Sequence, residues 1–102
     1  MPRFRAVVPV DDYVLDVLMP DLVGHDQHPS AFLVYLYLYR QAERSSWSKV
    51  DASLRLIAEG TGLSKTAVQA ALSRLQRRQL IKSQRAHRTA TQRHQILRHW
   101  RH

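Results

Sequence analysis

The chain has no cysteine, so disulfides and thiolate metal sites are excluded. It has no long hydrophobic run either. The longest, Ala31 to Tyr39, is nine residues, far short of the roughly 18 or more that a membrane span requires. Residues 1–10 lack the apolar stretch and small-residue cleavage site of a signal peptide, so the expected location is the cytoplasm. Glycine is scarce, with three in the chain and none after Gly62. The absence that says most concerns one sign of charge: after Glu59 there is no Asp or Glu.

What is present fits one modest domain. The 102 residues, 44% hydrophobic and 24% charged, are enough for a single core and argue against disorder. Residues 1–51 hold five Lys/Arg and seven Asp/Glu, a balance of −2, and residues 52–102 hold eleven and one, a balance of +10. A half so biased repels itself, and a polyanionic partner relieves that cost.

Arg3 to Val10 suits an edge strand or extended arm, with Pro9 near its end. Asp11 or Asp12 can cap a short helix carrying Tyr13, Val14, Val17 and Leu18 and ending near Pro20, followed by a loop over "LVGHDQHP". "PSAFLVYLYLYRQAERS" is long for a strand, and Pro29 with Ser30 is a helix-start signal, so a helix over about 30–44 is predicted. It is apolar on nearly every face, which calls for cover from the N-terminal segment and from a second subunit. Residues 1–28 are therefore read as an arm and short helix for packing and dimerisation, and 29–102 as the functional domain.

The motif is "ASLRLIAEGTGLSKTAVQAALSRLQRRQLI". Ser53 can cap a helix from Leu54 to about Glu59, and Gly60-Thr61-Gly62 breaks it, a glycine taking positive φ without steric cost. Ser64 can cap a second helix whose apolar positions, Ala67, Val68, Ala71, Leu72 and Leu75, follow the 3.6 period of one buried stripe. Ala58, Gly62 and Val68 stand where a small residue, a turn glycine and an anchor let two short helices cross steeply, the spacing of a DNA-binding helix-turn-helix. "IAEGTGLSKTAVQAALSRLQRRQLI" resembles bacterial winged-helix regulators of the GntR and MarR families, and the small helix-turn-helix domains of phage and plasmid replication proteins. The resemblance covers residues 48 to about 98. It implies a fold that is mainly α with a small antiparallel β wing, and a second helix that enters the major groove.

On that resemblance Ser64, Lys65, Thr66, Gln69, Ala70 and Ser73 face DNA. Gln69 can pair bidentately with adenine and Lys65 can reach guanine acceptors. Ser64 and Thr66 can hydrogen-bond phosphates beside free backbone N–H groups. Arg74, Arg77 and Arg78 come later and are expected at phosphates. "QLIKSQ", "RAHRTAT" and "QRHQILRHW" read as strand, loop, strand, with Leu80, Ile81, Ile96, Leu97 and Trp100 facing inward. The tip carries Arg85, His87 and Arg88, with Arg93 further on, suited to a minor groove or its phosphates. The GntR pattern usually has glycines in the wing, and this chain has none after Gly62.

Other signals carry less. His87, His94, His99 and His102 fit no tight chelating motif and read as surface histidines. Tyr35, Tyr37 and Tyr39 sit among Leu and Val, which favours core or dimer packing over base stacking. Asp11, Asp12 and Asp16 read as carboxylates favoured at a helix N-terminus. No nucleophile elbow, phosphate loop or zinc-hydrolase motif occurs, so neither an enzyme nor a cofactor or small-molecule ligand is expected. The expectation is a sequence-specific binder of double-stranded DNA, a homodimeric, nucleoid-associated transcriptional regulator. The alternatives are a replication, partition or nucleoid module of a mobile element, or a winged-helix domain that binds protein.

Overall fold

A computed structural model describes residues 7–85, 87 and 90–101; the expectations placed on Arg3, Arg88 and His102 lie outside them. Among the described residues, four helices and a three-stranded antiparallel sheet make a mainly helical domain around one apolar cluster. No helix among the described residues is long and apolar enough to cross a membrane.

The first helix, α1, has two segments, Val14–Leu18 and Pro20–His25. The sequence predicts a stop near Pro20, but the chain stays helical to His25. Proline removes one N–H donor, and the turns on either side are wide, closed by i→i−5 bonds from Met19 N–H to Val14 O and from Asp26 N–H to Asp21 O. Val14, Leu18 and Leu22, four apart, are all buried and hold this helix to the core. Asp11 stands at the helix start, where its carbonyl accepts from Val14 N–H at 3.0 Å, but its side chain does not cap. Its carboxylate accepts from Arg101 Nε at 2.7 Å and Nη2 at 2.8 Å, and from Trp100 Nε1 at 2.7 Å, tying the two ends of the described chain together. The Arg101 guanidinium holds that carboxyl well below the usual carboxylate range.

Helix α2, Pro29–Arg44, is capped by His28, whose Nδ1 accepts from Ala31 N–H at 3.2 Å. Its apolar surface is largely covered within the chain: Ala31, Phe32, Val34, Tyr35, Leu38, Tyr39 and Ala42 are buried. Tyr35 donates its hydroxyl to Leu97 O at 3.1 Å, and Tyr39 Oη accepts from Asp11 N–H at 3.1 Å. Two of the three tyrosines are thus core residues, as their neighbours imply.

Strand β1 is Val50–Asp51, followed by α3, Leu54–Thr61, and α4, Lys65–Arg77. Both predicted caps form, Ser53 Oγ accepting from Leu56 N–H and Ser64 Oγ from Ala67 N–H, each at 3.1 Å. Of the two glycines proposed for the break, Gly60 lies inside α3 against the Tyr37 ring, and Gly62 makes the turn with φ of +81°. Val68, Ala71, Leu72 and Leu75 form the buried stripe of α4. Helix α4 ends without glycine. Gln79 takes φ of +58°, and Leu80 N–H reaches back to Leu75 O at 2.9 Å, a Schellman ending at a residue that ordinarily resists it.

Strands β2, Ile81–Gln84, and β3, Arg93–Ile96, form the hairpin, with β3 central in the order β1-β3-β2. The structure corrects the surface reading of His94, which is fully buried in that central strand between Val50 and Ser83. Its Nδ1 lies 2.7 Å from Ser83 Oγ and its Nε2 3.0 Å from Ala52 O. The carbonyl requires Nε2 to carry a proton, so a neutral ring accepts from Ser83 at Nδ1 and satisfies both contacts.

Burial pushes the His94 pKa below its ordinary 6.5. The unfolded chain therefore takes up this proton at a higher pH than the folded one. The stability contributed by neutral His94 is full above pH 6.5 and is lost as pH falls from there toward the lower folded-state value. Thermal melts of wild type and His94→Gln between pH 8 and 5 are expected to show the wild type losing stability more steeply below pH 6.5. Parallel curves would remove His94 as the cause.

Candidate nucleic-acid interface

The buried stripe of α4 fixes which side chains turn outward. Ser64, Lys65, Thr66, Gln69, Ala70, Ser73 and Arg77 are all exposed on one continuous surface. Gln76, which the sequence reading passed over, is exposed too; its distance of seven residues from Gln69 along the helix was the available signal. Ser64 Oγ accepts at the cap, which leaves its O–H to donate outward. The exposed surface holds uncharged hydrogen-bonding groups flanked by Lys65 and Arg77, with no carboxylate.

The three arginines do not act together. Arg77 is exposed, but Arg74 and Arg78, four apart, share a flank of α4 that turns toward α1. Arg78 Nη2 pairs with Asp21 Oδ2, and its Nη1 is 3.5 Å from Asp26 Oδ1. Arg74 Nη1 lies 4.0 Å from Asp26 Oδ2, a buried oxygen with no hydrogen-bond partner among the described residues. The Asp26 side chain is only 4% exposed, so a charge there depends on its cationic neighbours. Asp21, His25 and Asp26 place three potential ligand atoms within 4.8 Å. Two guanidinium groups already supply positive charge at that spot.

Arg93, predicted for the phosphate side, pairs with Asp51 across β3 and β1 at 2.8 Å. Arg85 and His87 are exposed near the hairpin tip. Four of the seven carboxylates in residues 1–51, Asp11, Asp21, Asp26 and Asp51, thus meet arginines from the second half. Part of the charge asymmetry in the sequence is internal complementarity. Arg98 is also occupied, its guanidinium 3.5 Å from the centroid of the Trp47 ring. Lys65 and Arg77 form no ion pair among the described residues and, with Arg85, define the cationic side of α4 and the hairpin.

No family model, no curated protein and no solved structure matches this chain.

Proposed function

We propose that this chain is a winged helix that binds double-stranded DNA, with α4 in the major groove and the β2–β3 hairpin as its wing, and that it serves as a transcriptional regulator. The observation that carries the reading is the outer face of α4: Lys65, Thr66, Gln69, Ser73 and Arg77 stand exposed together on a helix anchored by its opposite stripe. Lys65 and Arg77 supply charge for phosphates, and Gln69 supplies the donor–acceptor pair that reads adenine. Selection of binding sites from random duplexes tests it. Gln69→Ala is expected to relax preference at one base pair, at a cost of about 1–3 kcal/mol on the selected site. An unchanged site profile would remove Gln69 from base reading.

A homodimer belongs to the same reading and presents two half-sites. Since α2 is largely covered by its own chain, the surface for the second copy falls on α1, where Leu15, Met19 and Val23, four apart, are 43%, 37% and 40% exposed. Light scattering at micromolar concentration is expected to give twice the 11.9 kDa chain mass; a monomer throughout would exclude the dimer.

A second reading, a domain that binds protein, is favoured by one observation: the first-half carboxylates neutralise several second-half arginines, so less of the basic excess needs an external partner. A salt titration separates the two. Counterion release makes DNA affinity fall steeply with salt, and a protein-binding domain lacks that dependence on duplex.

A further inference from the structure

Between the start of α3, the start of α4 and the hairpin lies a groove of about 350 Å³. Ser53 and Arg55 line it from α3, Lys65 from α4, and Arg85, Thr91 and Gln92 from the hairpin. Three cationic side chains from three separate elements converge there with hydroxyl and amide groups between them. The only carboxylate after Asp51, Glu59, is one turn along α3 and accepts from Arg55 Nε at 3.1 Å. A guanidinium has five N–H donors, so that contact engages a fraction of what Arg55 offers. Both partners of the pair are mostly exposed, 77% and 62%, and an exposed pair of this kind is weak enough to exchange for another anion.

We infer that this groove seats a backbone phosphate of the bound duplex, with Arg55 as a contact residue beside Lys65 and Arg85. The inference rests on the DNA-binding reading and deepens it. It adds a residue outside α4 and the hairpin, and it fixes how the two lie against one strand. Arg55 and Lys65 belong to different helices, so a single anion held by both sets the position of α4 along the groove. Thr91 and Gln92 offer neutral donors from the hairpin side, which a phosphate oxygen accepts without further charge.

The test uses the full chain and a duplex of random sequence, with affinity followed from 50 to 300 mM salt. Wild type, Arg55→Ala, Lys65→Ala and Arg44→Ala are compared, Arg44 being an exposed cation at the end of α2 that lines no part of the groove. The log–log salt slope is expected to shrink by about one for Arg55→Ala and for Lys65→Ala, and to stay at the wild-type value for Arg44→Ala. A wild-type slope for Arg55→Ala, with a reduced one for Lys65→Ala, would leave DNA binding standing and overturn the phosphate seat. Equal losses in all three variants would assign the effect to net charge and overturn the seat as well. Salt-independent or undetectable duplex binding by the wild type would remove the seat together with the reading beneath it. Arg55 is exposed, so thermal melts are expected to coincide for wild type and Arg55→Ala.

Discussion

Reversing both cations on the outer face of α4, as Lys65→Glu with Arg77→Glu, is expected to abolish duplex binding while leaving the fold intact. Neutralising two phosphate contacts alone removes about two from the salt slope. Reversal adds like-charge repulsion at close range, which costs several kcal/mol, and the affinity falls on the order of 100-fold or more. The fold is insulated from this change because both side chains are exposed and neither has an ion-pair partner among the described residues. At the first position of α4 a glutamate also complements the helix dipole better than a lysine does. Fluorescence anisotropy with a labelled duplex and a parallel thermal melt measure the two quantities. Wild-type affinity at low salt in a folded double variant would show that this face of α4 does not meet DNA.

The opposite pattern is expected one residue further along. Arg78→Ala removes the arginine partner of Asp21 and leaves Asp26, nearly fully buried, with His25 Nδ1 at 3.0 Å and Arg74 at 4.0 Å. Removing one partner of a buried ion pair strands the other charge, and the usual penalty is about 3–5 kcal/mol. Arg78 is itself about a third exposed, and solvent screening reduces the loss to roughly 2–3 kcal/mol. In a domain of this size that lowers the melting temperature by roughly 10–20 °C. Arg77→Ala, on the neighbouring outward position, is expected to shift it by no more than a few degrees. Equal melting temperatures for the two variants would mean that α1 is not anchored to α4 through these charges. Replacing the cluster together, as Asp26→Asn with Arg78→Met, is expected to recover part of the loss, because no buried charge then lacks a partner.

These two arginines show where sequence reading runs out. In the sequence "SRLQRR" presents Arg74, Arg77 and Arg78 as one basic run beside a helix with no acid, and the natural inference is a single phosphate-facing edge. Helical spacing turns Arg77 about 100° from Arg78, which the sequence does contain. What it does not contain is the identity of the element beside that flank. Asp21 lies 57 residues and Asp26 52 residues before Arg78, and α1 reaches them because it continues through Pro20, against the local signal for a stop.

Local physics settled a great deal in advance. Ser53 and Ser64 cap because their hydroxyls reach N–H groups three residues on. Gly62 makes the turn because the required φ is positive. The stripe from Val68 to Leu75 points inward because its period is that of a helix. Each of these causes acts within a few residues, so the two helices and the outward face of α4 were readable from the amino-acid order. Tertiary structure decided the rest. It buried His94 between Ser83 and Ala52, 11 and 42 residues away, turned Asp11 to Arg101 across 90 residues, and sorted the arginines into those that hold the fold together and those that face outward. Those outcomes depend on which distant charge or carbonyl arrives beside a side chain, and chain packing alone fixes that.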